Sequence, residues 1–326
     1  MLDLKRLRSI ELQAAPRGHK VVGTLLLGPN YNLPPRTRIS VEGRENLPEE
    51  PVVLAMNHTD RYNYWPFQYW LWRHEKRFTA TWVKGKYYEN KWVGRFMEMT
   101  NNIPAPSKGY IMTRDFVNTI GRAPTSEEYA GLRDLAAGTS VAPGLLPEAI
   151  AATARDMLGR HYDPASESYS ECLSALLLEM NEVFLELNES AFSKGLHLLI
   201  FPQGTRSIRL SKGHIGLVQA ALRFKRGILP IGCNGSDKVY PGGSPWAKRG
   251  SIVYRVGELM EYESFSENHL PEGVDPFAPN LAKEHRESMQ ALVDKVMLRI
   301  NDLVDPQYQF GDDDGSDGVQ GSKRFV

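Results

Sequence analysis

Two short stretches of this 326-residue chain hold residues whose types and order suit acid–base and anion chemistry. The first is "AMNHTDRYNYWPF", 55–67, where an apolar run meets Asn57, His58, Asp60 and Asn63. A histidine can take a proton near neutral pH when a partner on its other ring nitrogen fixes the tautomer. Asp60 and Asn63 are both near enough in sequence to be that partner, and Asp60 is equally suited to capping the helix that follows. The second is "LLIFPQGTRS", 198–207, where an apolar run breaks at Pro202 into Gln203, Gly204, Thr205, Arg206 and Ser207. A guanidinium makes bidentate bonds to phosphate, and a glycine lets backbone approach an anion closely. Arg209 and Lys212 follow shortly after, either widening the positive patch or standing as ordinary solvated charges.

Each stretch sits where a strand should end. "RTRISVEG" (37–44), "PVVLAMN" (51–57), "RFTATWVK", "LHLLIF", "GILPIGCN" and "SIVYRVG" read as strands. "YWPFQYWLWRHEK", "KYYENKWVGRFMEM", "KGHIGLVQAALRFKR" and "NLAKEHRESMQALVDKVMLRINDLV" read as helices between or after them. That alternation predicts an α/β fold, a mixed central sheet flanked by helices, and strand C-terminal ends are where such sheets carry sites. From 109 to 192 the alternation stops. "TSEEYAGLRDLAAG", "LPEAIAATARDMLGR" and "SYSECLSALLLEMNEVFLELNESAF" carry helical patterns, the first opening on a Thr-Ser-Glu-Glu start signal. We expect an N-terminal peripheral segment over 1–36, a core over 37–108 and 193–304, a helical insertion over 109–192 and a disordered Gly/Asp-rich tail over 305–326.

Composition narrows the function. Hydrophobic content of 41% and charged content of 24% are those of a globular protein, and the net charge of zero disfavours a nucleic-acid partner. Cys172 and Cys233 share no metal-ligand spacing, so neither a disulfide framework nor a metal site is expected, and Cys233 reads as core. A cytoplasmic setting follows. The N-terminal "LDLKRLRSIEL" lacks the apolar run of a signal peptide; it suits an interfacial amphipathic helix or a segment packed on the domain. No run approaches the roughly 18 apolar residues of a membrane span, so membrane contact would be peripheral, on the inner face. Of the aromatics Tyr62, Tyr64, Trp65, Phe67, Tyr69, Trp70 and Trp72, about half are expected in the core by the usual preference for burial. The rest suit an apolar tunnel or a membrane surface.

"NHTDRYN" followed by "FPQGTRS" resembles the glycerolipid acyltransferases, the glycerol-3-phosphate and 1-acylglycerol-3-phosphate acyltransferase superfamily, whose signatures are Asn-His-x4-Asp and Phe-Pro-Glu-Gly-Thr-Arg-Ser. "VEGRENLPEEPVVLAMNH", "WVKGKYYENKWVGRFMEMTNNIP", "SKGHIGLVQAA" and "ILPIG" resemble the family's flanking segments in the same order, over about 37–108 and 196–260. Two carboxylates of the signatures are amides here, Asn63 and Gln203. The second motif's arginine has Ser107, Lys108 and Arg114 as alternative counterparts. The resemblance implies a fatty-acyl transfer in phospholipid biosynthesis, from an acyl-CoA or acyl-carrier-protein thioester to the hydroxyl of a lysophospholipid-like or glycerol phosphate acceptor. His58 would be the general base, with Asn63 or Asp60 orienting it. Asn57, Gln203, Gly204, Thr205, Arg206, Ser207, Lys108 and Lys212 would bind substrate. No cofactor beyond the thioester co-substrate is implied, and the insertion would cover the acyl end of the site.

Rival readings fare worse. A serine hydrolase would need G-x-S-x-G, and the nearest stretch, "GTSVA" from Gly138, ends on Ala142 and follows no strand. No phosphate-binding G-x-x-x-x-G-K-[ST] occurs. A catalytically degenerate lipid-binding or scaffolding member of the same fold is the remaining alternative, with the two amides as its evidence.

Overall fold

The buried apolar runs settle into a parallel sheet core because both faces of such strands are covered. The computed structural model describes residues 1–34 and 36–311. Nine strands are described: β1 (Thr37–Glu42), β2 (Val53–Met56), β3 (Thr79–Lys84), β4 (Asn102–Ala105), β5 (Arg155–Met157), β6 (Arg160–Tyr162), β7 (His197–Ile200), β8 (Ile228–Asn234) and β9 (Gly250–Val256). Seven form one sheet in the order β1-β9-β8-β2-β7-β3-β4, and β5 and β6 form a hairpin. β2 lies parallel between β7 and β8, with Val53 opposite both Leu198 and Ile228. β8 and β9 are antiparallel, which makes the sheet mixed, and the fold is the expected α/β class. Every residue of β2, β7 and β8 is buried, whereas β9 alternates, as a half-covered strand does.

The described residues divide into two compact units, one of 1–12 and 82–190, the other of 13–81 and 191–311. In the second unit the helix Trp65–Glu75 starts with Pro66 in its first turn and stops at Lys76, whose backbone is left-handed. It buries Phe67, Trp70 and Leu71, one helical face, while Trp65, Tyr69 and Trp72 are half-buried. The segment 17–32 is helical with one wide π-turn, Gly23–Leu27, and its Leu27 and Tyr31 join the same core. Gly23 is required there: a Cβ would lie 2.4 Å from the Trp72 ring.

In the first unit the N-terminal helix is only Leu4–Arg8, and Leu2, Leu4, Leu7, Ile10 and Leu12 are all buried. Arg6 donates to Glu98 at 2.9 Å and to the Tyr88 carbonyl at 2.8 Å, and the Leu4 N–H donates to Leu158 O. The interfacial-helix alternative is therefore corrected: these leucines pack inside the protein. Thr125 caps the helix Ser126–Ala136 through a full capping box with Glu128. The pattern "LPEAIAATARDMLGR" is also corrected, because only Ala149–Ala152 is helical before the β5–β6 hairpin. Leu158 and Gly159 both have positive φ, the conformation that a two-residue hairpin turn demands. Of the 305–326 stretch, 305–311 is described: Pro306–Tyr308 is a 3-10 turn with Tyr308 buried, so that part is ordered. The rest of the expected disordered tail lies outside the described residues. Among the described residues no helix is long and apolar enough to cross a membrane.

Candidate active site

β2 delivers Asn57 and His58 at its C-terminal end, and β7 delivers Phe201 to Ser207 at its own, in the same unit. The two ends are tied by backbone and side-chain bonds. The Ser207 N–H donates to the His58 carbonyl at 2.9 Å, and the His58 N–H donates to Gln203 Oε1 at 3.1 Å. Gln203 is buried and its Nε2 donates onward to the Arg209 carbonyl and Ser211 Oγ. Gln203 is thus the brace between the loops, and an amide suits that work because it both accepts and donates.

The imidazole of His58 is half-buried and stacks on Phe201, ring centroids 4.0 Å apart. Its Nδ1 lies 3.0 Å from Asn63 Oδ1. Asn63 is fully buried, and its Nδ2 donates to the Asn57 carbonyl at 2.7 Å. That second bond fixes the amide so that oxygen faces the ring. Nδ1 must then carry the proton and Nε2 the lone pair, the tautomer a general base needs. Tyr254 Oη, itself buried, donates to the Asn63 carbonyl at 2.6 Å and fixes the backbone beneath the amide.

Asp60, the other candidate orienter, is turned elsewhere. Its Oδ1 accepts from the Tyr62 N–H at 2.8 Å and its Oδ2 from Thr59 Oγ1 at 3.0 Å. It caps a turn ahead of the helix, and burial pushes its carboxyl up despite the bond from Tyr62. Asn57, expected to meet substrate, instead splices β2 to β8: its Nδ2 donates to the Cys233 carbonyl at 3.0 Å and its Oδ1 accepts the Cys233 N–H at 2.6 Å. Cys233 is fully buried, with its thiol pushed up by burial, and belongs to the core.

Gly204 has φ +64°, which side chains rarely adopt, and a Cβ there would meet the His214 ring at 2.9 Å. Thr205 and Ser207 are buried, while Arg206 is half-buried. Among the described residues Arg206 has no hydrogen-bond or ion-pair partner, so its guanidinium carries an uncompensated charge on the loop that follows β7. Arg209 and Lys212 are exposed. Lys108 belongs to the other unit, where its ammonium donates to the Ala136 carbonyl at 2.9 Å. There too Ser107 caps the helix Lys108–Ile120, and Arg114 pairs with Glu89 at 2.8 Å. Phe201 and Ser211 were not singled out from sequence. Phe201 opens the "FPQGTRS" motif, and its place at the head of that motif was the available signal.

Residues 38–125 match the family model described as Acyltransferase. That stretch holds Asn57, His58 and Asn63 but not the Arg206 loop. No curated protein matches the chain. Among solved structures, the 1-acyl-sn-glycerophosphate (LPA) acyltransferase PlsC from Thermotoga maritima is similar at 14% identity, over 90% of this chain and 77% of its own, with a TM-score of 0.38. The Acyltransferase match over 38–125 takes in the first of the two motifs that meet at one end of the sheet, with amides at Asn63 and Gln203 where the glycerolipid acyltransferase signatures carry carboxylates.

Proposed function

We propose that the protein transfers a fatty acyl group from a thioester, acyl-CoA or acyl carrier protein, to the hydroxyl of a glycerol phosphate or lysophospholipid-like acceptor at a membrane surface. His58 Nε2 takes the acceptor's hydroxyl proton as the oxygen attacks the thioester carbonyl. The carbon–sulfur bond then breaks, and the imidazolium returns its proton to the leaving thiolate. Arg206 receives the acceptor's phosphate, whose negative charge pairs with the guanidinium. The observation that carries this reading is the His58–Asn63–Asn57 chain, which sets the base's tautomer without a carboxylate. The two amides favour the degenerate, lipid-binding alternative only if a charged orienter is indispensable, and the fixed amide supplies the orientation, though not the charge.

The test offers purified protein an acyl thioester with glycerol-3-phosphate, 1-acylglycerol-3-phosphate or 1-acylglycerol, and identifies products by mass spectrometry. Acylation confined to phosphate-bearing acceptors is expected. Release of free fatty acid alone, or equal use of the phosphate-free acceptor, contradicts the proposal.

A further inference from the structure

The helix Lys91–Met99 carries apolar residues on two sides. Its inner side is made by Gly94 and Met97, both buried, with Gly94 so close to Arg6 that a Cβ would meet the guanidinium at 2.3 Å. Its outer side presents Trp92, Val93 and Met99, which are 81%, 38% and 41% exposed, with Phe96 half-buried among them. Trp92, Phe96 and Met99 follow i, i+4, i+7 spacing, so they form one stripe. Trp92 is the most exposed large hydrophobic side chain among the described residues. Asn90 fixes the helix start by accepting from the N–H groups of Trp92 and Val93 at 2.9 and 3.2 Å, so the stripe is held on a capped element.

The flank of the stripe is basic. Lys91 and Arg95 are exposed one turn apart, and Lys91 has no partner among the described residues. The helix has one acid, Glu98, which is largely covered and held by Arg6 at 2.9 Å and by Arg95 at 3.5 Å. An outward tryptophan among aliphatic residues with a cationic edge is the chemistry of the membrane–water interface. A second protein fits less well. Four side chains on a nine-residue helix offer far less than the about 800 Å² per partner of a standard interface.

We infer that the Trp92–Phe96–Met99 stripe, edged by Lys91 and Arg95, is a docking surface for an anionic lipid bilayer. This deepens the proposed function by naming the surface that meets the membrane holding a lipid acceptor, yet it rests on the helix and not on His58. The test is co-sedimentation of the full chain with vesicles of phosphatidylcholine alone and of phosphatidylcholine mixed with phosphatidylglycerol. Trp92→Ser/Met99→Ser should lower partitioning to either vesicle about tenfold or more, since apolar area buried in the interface drives the binding. Lys91→Gln/Arg95→Gln should lower it only on the anionic vesicles, by roughly fivefold for each charge removed. All these side chains except Phe96 are exposed, so the thermal transitions of both variants should match the parent. His58→Ala should bind as the parent does: loss of acyl transfer with retained binding tests the reaction and leaves this surface standing. A parent that ignores both vesicles, or a Trp92→Ser/Met99→Ser variant that binds as tightly as the parent, overturns the inference. So does a lipid-free dimer that this variant dissociates, for then the stripe's partner is a second copy of the chain.

Discussion

Replacing Asn63 by aspartate separates what the amide does for the fold from what it does for the base. Asn63 makes two side-chain bonds, Nδ2 to the Asn57 carbonyl at 2.7 Å and Oδ1 against His58 Nδ1 at 3.0 Å. A carboxylate keeps the second and loses the first, setting one of its oxygens against a carbonyl oxygen in a fully buried position. A lost hydrogen bond costs about 1 kcal/mol, and an unpaired buried acceptor about 1–3 kcal/mol more. Asn63→Asp should therefore lower folding stability by about 2–4 kcal/mol. On the catalytic side, a nearby negative charge favours the protonated imidazole, so the acid limb of the rate profile should move to higher pH by roughly one to two units. The plateau rate per folded molecule should hold or rise, because the imidazolium formed on proton transfer gains a counter-charge. Urea unfolding measures the first effect, and thioester consumption against pH measures the second. A variant with parental stability and a parental pH profile would refute the placement of Asn63 on the imidazole. The reverse change in a serine-protease triad costs about 10⁴ in rate, chiefly through the wrong tautomer. Here the Asn57 carbonyl prevents that error by holding the amide oxygen toward the ring.

Arg206→Ala should raise the KM for a phosphorylated acceptor about tenfold or more, since a charge-assisted bond contributes about 1.5–3 kcal/mol; equal losses with phosphate-free acceptor would contradict the assignment. Gln203→Leu should destabilise the fold by about 1–3 kcal/mol or more and slow turnover, as it strands the His58 N–H and the Arg209 carbonyl; parental kinetics and unfolding would show that the brace is dispensable. Buried His197, whose pKa burial lowers to about 4, should make the protein acid-labile. The folded state resists a proton that the unfolded chain accepts below about pH 6.5, so stability falls as pH drops from there towards 4, by about 3 kcal/mol. His197→Asn should flatten that slope in urea titrations across the window, and an unchanged slope would place the acid sensitivity elsewhere.

The strands that build the site were legible because they are nearly continuous apolar runs bounded by turn residues. "PVVLAM" and "LHLLI" can be little else, and the polar knots after them mark the end where chemistry sits. The direction of β9 was not legible, since nothing in "SIVYRVG" distinguishes a parallel from an antiparallel neighbour. β4 was missed because "NIPA" is four residues long and carries Pro104, which belongs on an outer strand, where the sheet order puts it. The β5–β6 hairpin was read as helix because Ala, Arg, Met and Leu favour helices locally. Tertiary contacts override that preference: Met157 and Tyr162 are buried, and Arg155 pairs with buried Asp115 at 2.7 Å. At the site, spacing left Asp60 and Asn63 as alternatives. Only three dimensions show the Asp60 carboxylate spent on Tyr62 and Thr59 while the Asn63 amide reaches the ring. Asn57 misled for a related reason: a polar residue next to a histidine looks like a ligand until its two amide ends are found on the Cys233 backbone.

The most direct test of the central claim is acyl transfer to 1-acylglycerol-3-phosphate by purified parent and His58→Ala proteins, followed as diacyl product by mass spectrometry with thermal unfolding alongside. Thioester-dependent product is expected from the parent. His58→Ala should lower product formation by about 10² or more, the contribution of a general base, with its unfolding transition within a few degrees of the parent's. Equal product from both proteins would contradict the role of His58, and no product from a folded parent with either thioester donor would contradict the reaction itself.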